Sequence, residues 1–522
     1  MIRPFDRSRV ELSASLGNER AIPKEDSPFN IALIGNFSGS DRGDGQRLPI
    51  ASRSPMLVDR DNFDDVLSKI GPTLRLPMGA SEELILRFRE LDDFHPDRLF
   101  ESVDLFRRLR ELRKQLQDPD SFPAAAEALG LSAKAEPGRP RREEVPSTAS
   151  VAAAIAAEPG SSLLDDIVAK SAAPLETRRS SRPDQLQEFV QRVTQPHLVA
   201  DVSEQQGAAL GMIDRALSAQ MRALLHVPAF QQLEAAWRSL FFLVRRVETS
   251  AQLKLYLIDI SQEELCADVL PSSDVRQTET YRLLVEKTVG TPGAEAYALL
   301  IGNVTFGANR DDAEALQQIG KIAHAAGAPF IAAADPRLLG CKSRAETPHS
   351  RDWKLAMDPE AAQAWDVMRR SPETAWIGLA LPRFLLRLPY GKETDPTESF
   401  DFEEMPGEPQ HEDYLWGNPA FVCAALLAQS FSEEGWEMRP GSHSEISGLP
   451  LHVYKREGES ELKPCAEALL TEDAAAQILG RGLIPLVSMK GQDGVKVVRF
   501  QSLTRTPSAL QGPWLRWTPD QR

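Results

Sequence analysis

Four places in this 522-residue chain hold residue types that could do chemistry. The loop Gly35-Asn36-Phe37-Ser38-Gly39-Ser40 follows a short apolar run, as a phosphate-cradling loop follows its strand. It lacks the Gly-Lys-Ser/Thr ending that sets a lysine on the phosphates, so it reads as a structural turn. Asp59-Arg60-Asp61-Asn62-Phe63-Asp64-Asp65 supplies four carboxylates in seven positions. A calcium loop needs glycine at its sixth position and glutamate at its twelfth. Counted from Asp59, those positions hold Asp64 and Ile70. Acidic residues around a first helical turn favour the helix dipole instead, with Asp61 as the expected N-cap.

The eight histidines are dispersed, and neither a Gly-x-Ser-x-Gly elbow nor a His-Glu-x-x-His pair occurs. Catalytic triads assemble in space, so spacing alone does not exclude one. Nothing in the residue pattern points to one, and the expectation is no enzyme, no cofactor and no metal. Arg383 and Arg387 flank Phe384-Leu385-Leu386 and are placed to meet carboxylates of the Asp395–Glu404 segment or of another subunit. Trp237, Trp416, Trp436, Trp514 and Trp517 are core or interface anchors by size. For Trp237 and its neighbour Arg238, in Glu234-Ala235-Ala236-Trp237-Arg238, core packing is the plainer reading.

The elements that must position these residues fall into three blocks. In the first, up to about residue 120, Phe29–Gly35 is a buried-strand pattern. A helix is expected from Asp61, with Phe63, Val66, Leu67 and Ile70 on one face, and Gly71-Pro72 stops it. Glu83–Phe88 follows as a strand and Pro96–Gln117 as one amphipathic helix. The second block, 121–180, is rich in Ala, Pro, Glu and Arg and poor in aromatics. It reads as a flexible linker, because it buries too little apolar surface to offset its ordering entropy. Within it, Leu163, Leu164, Ile167 and Val168 group on one face of a short helix at 161–171. The third block, 181–522, starts with helices over Ala208–Val247, one of them opened by Pro228. Strands at Gln252–Asp259, Glu295–Gly302, Pro329–Ala333 and Trp376–Ala380 alternate with helices, and Asp311–Ala326 makes a βαβ unit.

Composition narrows the function classes. Lys and Arg total 60 against 76 Asp and Glu, a net charge of −16. That argues against a nucleic-acid partner and against docking on an anionic membrane. With 42% hydrophobic and 26% charged residues, the chain can bury a real core. The four cysteines, Cys266, Cys341, Cys423 and Cys465, form no close pair and read as free thiols of a reducing cytoplasm. No secretory leader and no membrane-spanning run is evident.

Longer stretches carry a resemblance. Val58–Asp64 (with Asp59, Arg60, Asp61, Asn62 and Phe63) and Leu86–Asp97 (with Phe88, Asp93 and Phe94) resemble the small sheath subunit of the bacterial type VI secretion system. Leu224–Leu240 (with Trp237 and Arg238), Ala328–Ile331, Leu381–Gly391 (with Arg383, Arg387 and Tyr390) and Tyr414–Phe421 (with Trp416, Gly417 and Asn418) resemble its large subunit. The resemblance covers about three quarters of the chain, in family order. It implies an α/β (mixed α+β) architecture of two sheath-subunit-like domains, residues 1–120 and 181–522, each a mixed sheet flanked by helices. It also implies that the second domain lacks the family's C-terminal extension.

In that family the two subunits pair and stack into a contractile tube around an inner tube. The implied role is therefore structural and cytoplasmic. The implied partners are sheath subunits or further copies of the chain, inner-tube or baseplate proteins, and a AAA+ disassembly ATPase for which the helix at 161–171 is a candidate contact, a plain linker helix being the other reading of it. An accessory that caps, nucleates or regulates a separate sheath is the alternative, and an enzyme on a borrowed scaffold is the remaining one.

Overall fold

A computed structural model describes residues 26–39, 48–78, 82–128, 202–342 and 349–514. The strands are β1 (Phe29–Gly35), β2 (Met56–Val58), β3 (Thr73–Met78), β4 (Glu82–Arg87), β5 (Leu253–Asp259), β6 (Leu299–Phe306), β7 (Phe330–Ala334) and β8 (Ile377–Leu381). They continue with β9 (Phe384–Leu385), β10 (Trp416–Gly417), β11 (Glu445–Ile446), β12 (Val453–Arg456), β13 (Glu459–Leu462), β14 (Ile484–Ser488) and β15 (Val495–Val497). The main helices are α1 (Phe63–Ile70), α2 (Pro96–Ser102), α3 (Asp104–Gln117), α4 (Phe122–Ala128), α5 (Val202–Leu225) and α6 (Pro228–Arg246). Then come α7 (Gln262–Val269), α8 (Arg310–Ala326), α9 (Pro359–Arg370), α10 (Ala420–Glu434) and α11 (Glu472–Gly480).

One nine-stranded mixed sheet organises the molecule, in the order β11-β15-β14-β8-β7-β6-β1-β5-β2. From β14 to β5 the pairing is parallel, and the outer strands β2, β15 and β11 pair antiparallel. Central parallel strands are covered on both faces and need apolar side chains on both, which explains their near-continuous apolar runs. β1 shows the division. Phe29, Ile31 and Leu33 enter one core and Ala32 and Ile34 the other.

β1 belongs to the first block, yet its neighbours on both sides come from the third. Phe29↔Leu253 through Gly35↔Asp259 pair with β5, and Ile31↔Leu299 through Ile34↔Gly302 pair with β6. Edge strand β2, also from the first block, pairs antiparallel with β5. The two blocks of the chain therefore share one sheet.

The expected βαβ unit is present as β6, α8 and β7, capped by the Asn309 side chain at one end and Gly327 at the other. Its first strand lies later than expected, at Leu299–Phe306, and Glu295 instead receives the ammonium of Lys254 at 2.7 Å. Pro96–Gln117 is two helices, not one. Val103, β-branched and buried, takes an extended backbone (φ −84°, ψ 126°) between α2 and α3, and the turn brings Phe100 into stacking with Phe400. α1 begins at Phe63 and not at Asp61. The Asp59 carboxylate takes the N–H groups of Asp61 and Asn62, so Asp61 lies in a turn ahead of the helix. Gly71, left-handed at φ 57°, ends it as expected. Helix α4 occupies the start of the block expected as linker, with Phe122, Ala125 and Ala126 buried. The short helix at 161–171, with Leu163, Leu164, Ile167 and Val168, lies outside the described residues.

Candidate functional site

Helix α6 is the pivot. Pro228 sits in its first turn, and Phe230, Leu233, Trp237, Leu240 and Val244, at spacings of three and four, make one apolar stripe. First-block aromatics pack on that stripe. Phe63 meets Trp237 edge-on at 5.9 Å and Phe241 at 5.4 Å. Phe88 and Phe94 stack at 4.0 Å and both present to the edge of Phe230. Trp237 is fully buried, and its indole N–H donates to the Phe37 carbonyl at 2.9 Å. The first-block residue Arg60 donates to the carbonyl of Arg245, at the end of the same helix, at 3.0 Å.

Next to that stripe on α6, from Glu234 and Arg238, starts a buried charge cluster. Arg387 is 9% exposed, with Glu234 at 0% and Glu404 at 1%. The Arg387 guanidinium donates to Glu234 Oε1 at 2.8 Å and to Glu404 at 2.7 and 3.1 Å. Arg238 donates to Glu234 at 2.6 Å and to the Tyr390 hydroxyl at 2.9 Å. His226 lies 3.3 Å from Glu404, and the Tyr390 N–H donates to the same carboxylate at 2.8 Å. Two arginines thus balance two glutamates in a dry setting. Burial alone would raise the Glu404 carboxyl, but Arg387 and the donors around it hold it at about 2. Burial opposes charge on Arg387 too, and its two carboxylates more than offset that, keeping it well above its ordinary value. Burial pushes Tyr390 up to about 12, so its hydroxyl stays protonated.

This cluster reaches the first block twice. The His95 ring stands edge-on to Tyr390 at 4.8 Å. The Asp97 carboxylate accepts the backbone N–H groups of Glu398 and Ser399, both at 2.9 Å.

Arg383 builds a second cluster nearer the surface. Its guanidinium donates to Glu467 at 2.6 and 2.9 Å and to Glu412 at 3.2 Å, and its backbone N–H also donates to Glu467. Lys463 donates to His411 Nδ1 at 3.1 Å, leaving Nε2 to face Glu467 at 3.1 Å. Burial would raise Glu467, but Arg383 and His411 hold it at about 2. Trp416 lies beside this cluster, its indole N–H on the His411 carbonyl at 2.8 Å. β10 pairs with β9, where a side chain on Gly417 would strike Phe384 and Leu386 at 2.8 Å. Asn418 then donates to the carbonyls of Gly302 and Val304 and accepts the N–H of Ala420, tying β6 to the start of α10.

The structure therefore gathers Phe63, Phe88, Phe94 and Trp237 along one stripe of α6 and Arg238, Arg387 and Tyr390 on the face adjoining it. Arg383, Trp416, Gly417 and Asn418 lie farther along the same connection. Asp59, Asp61 and Asn62 form a local turn, and Asp93 accepts the N–H groups of Arg89 and Glu90. Arg387 meets the Asp395–Glu404 segment through Glu404, whereas Arg383 meets Glu412 and Glu467, outside it. In the loop after β1, the Asp259 carboxylate takes the N–H groups of Phe37 and Ser38, which an anion would otherwise use. Sequence reasoning missed Glu234 and Glu467 as partners, and reached Glu404 only as a member of the Asp395–Glu404 segment. Glu234 carried a signal, being a charged residue one position after Leu233 in the apolar stripe. Among the described residues no group of three His, Cys, Asp or Glu is placed to hold a metal. No helix among them is long and apolar enough to cross a membrane.

An interior clamp of fixed charges thus joins segments distant in the chain, and likeness to known families says what class of protein carries it. Residues 208–504 match the family model described as EvpB/VC_A0108, tail sheath N-terminal domain. Residues 3–122 match the one described as type VI secretion system, VipA, VC_A0107 or Hcp2. The first match takes in more than half of the chain, and the chain belongs to the tail sheath family, with a VipA-type match on the same polypeptide. A relative, the type VI secretion system sheath protein TssC1 of Pseudomonas aeruginosa, is 36% identical over 311 residues, 58% of this chain and 62% of the relative. The chain thus spans under two thirds of that relative's length.

Proposed function

We propose that this chain is a fused structural subunit of the type VI secretion sheath. It assembles in the bacterial cytoplasm with copies of itself or with other sheath subunits, and it bears load and does not catalyse. The two domains expected at 1–120 and 181–522 act as one building block. The observation carrying this reading is the position of β1 between β5 and β6, which makes each part complete the other's sheet. Fusion fixes the one-to-one ratio and raises the effective concentration of each part for the other. The aromatics Phe63, Phe88 and Phe94 on α6, with the Arg387 cluster behind them, hold that block together. Inner-tube or baseplate proteins are the next partners, and a AAA+ ATPase contact through Leu163, Leu164, Ile167 and Val168 is part of the same reading.

Electron microscopy of the purified full chain tests it. Tubular or helical assemblies are expected. Monomers that bind only the ends of a preformed sheath would replace the polymer reading with a capping one.

A further inference from the structure

A cavity of about 210 Å³ opens between α9, the turn after α11 and the segment 503–505. Its floor is apolar, formed by Leu338, Leu483, Leu503 and the ring of Trp365, whose N–H is turned away to the Asn309 carbonyl. Its rim carries three guanidiniums, Arg369, Arg481 and Arg505. Arg369 is fixed in place by the carbonyls of Leu503 and Thr504, at 3.0 and 3.1 Å. The acid on the rim, Asp366, is shared between Arg370 and Arg505. Arg481 makes no ion pair among the described residues. Three positive charges with one divided carboxylate stand out in a chain of net charge −16.

The molecule carries a counterpart. Strands β12 and β13 form a hairpin that pairs with no other strand among the described residues. At its turn, Glu457 and Gly458 have φ of 52° and 88°, the two positive values of a type I′ turn. Asn, Asp or Gly usually occupies the first of these positions, and a glutamate there accepts a steric penalty. A residue held in a sparsely populated conformation points to function. Here the strained residue puts a carboxylate at the tip, beside exposed Glu459, and neither makes an ion pair among the described residues. At the hairpin base Val453 and Leu462 face each other, 55% and 39% exposed.

We propose that the arginine-rimmed cavity is a docking site for a second copy of this chain, entered by the tip carboxylates Glu457 and Glu459 of the β12–β13 hairpin. Charge complementarity sets the register of such a contact and speeds encounter. Cavity and hairpin are different patches of one molecule, so the contact is head-to-tail and propagates from copy to copy, into a ring or an open helical array. The inference rests on the sheath-subunit reading and names one contact of that assembly.

Two measurements on the full chain test it. A cyclised peptide spanning Val453–Leu462, titrated calorimetrically at low salt, should bind saturably. The pair Arg481→Glu and Arg505→Glu should weaken it by about tenfold or more. No binding to the natural chain, or equal binding to the double variant, overturns the proposal. In assembly, that double variant and a Glu457→Lys, Glu459→Lys chain should each fail alone, and an equimolar mixture should recover, because each then offers the other an opposite charge. Unimpaired assembly by the cavity variant overturns the docking site and leaves the sheath reading intact. A natural chain that binds the peptide but never polymerises does the reverse. The substituted side chains are exposed, so an unchanged melting temperature confirms folding in each case.

Discussion

Arg383 and Arg387 stand four residues apart, and each grips a buried glutamate, yet they occupy different physical worlds. Arg387 is 9% exposed and lies between two carboxylates that are themselves buried. Arg383 is 41% exposed, with one buried partner, Glu467, and one exposed partner, Glu412. The same ion-pair chemistry therefore carries unequal consequences. Water screens and replaces part of what Arg383 supplies. For Arg387 little solvent is at hand, and loss of the cation strands Glu404 in the interior and leaves Glu234 to Arg238 alone.

Removing Arg387 should be the largest single effect. Arg387→Leu leaves Glu234 and Glu404 facing a gap. Breaking a buried pair by deleting one partner costs about 3–5 kcal/mol. Urea unfolding of the variant should show that loss, and Arg387→Lys should recover only part of it, because an ammonium does not reproduce the fork that reaches both carboxylates. A loss no larger than that of an exposed ion pair would erase the contrast between the two arginines.

Acid should act next. Glu404 and Glu467 are both held at about 2 in the folded protein, below their ordinary value of 4.5. A carboxyl depressed by folding contributes stability that is fully present above its unfolded value and disappears as pH falls through its folded one. The unfolding midpoint should therefore drop progressively from about pH 5 toward about pH 2. The comparison sharpens when the profile is repeated in the variants. Without Arg387, Glu404 loses its main stabilising charge, burial raises its carboxyl, and its share of the slope should shrink or reverse sign. An unchanged profile would show that Glu404 is not held by Arg387.

Local signals account for the parts that sequence exposed. The β6–α8–β7 unit was legible from apolar runs on either side of the helical stretch Asp311–Ala326, which Asn309 and Gly327 cap in the structure. Phe29–Gly35 was legible as a buried strand. Its neighbours were not, because its partners Leu253 and Leu299 lie more than 200 residues away and parallel pairing leaves no turn to betray it. The break at Val103 was hidden because the apolar stripe continues across it. In the site, the two arginines around Phe384-Leu385-Leu386 and the acidic segment ending at Glu404 suggested one pair correctly. Nothing local marks Glu467 as the partner of Arg383, since the two are 84 positions apart in sequence and meet only through the packing of the strands.

Removing Arg383 should have the smallest effect of the three, and its size decides how far burial alone explains the contrast. Arg383→Leu leaves Glu467 buried, but that carboxylate keeps His411 at 3.1 Å, and Lys463 stands behind the histidine. The imidazole N–H still faces that carboxylate, with the Lys463 ammonium behind it, and the half-exposed site admits water. The expected loss is about 1–2 kcal/mol, that of a hydrogen bond to a charged group rather than of a stranded ion. The same substitution made together with His411→Ala should cost more than the two single losses added, because only then does Glu467 lose both of its nearest partners. A double-mutant cycle in urea measures this directly. Strict additivity would mean that His411 gives Glu467 no reserve and that solvent alone softens the Arg383 site.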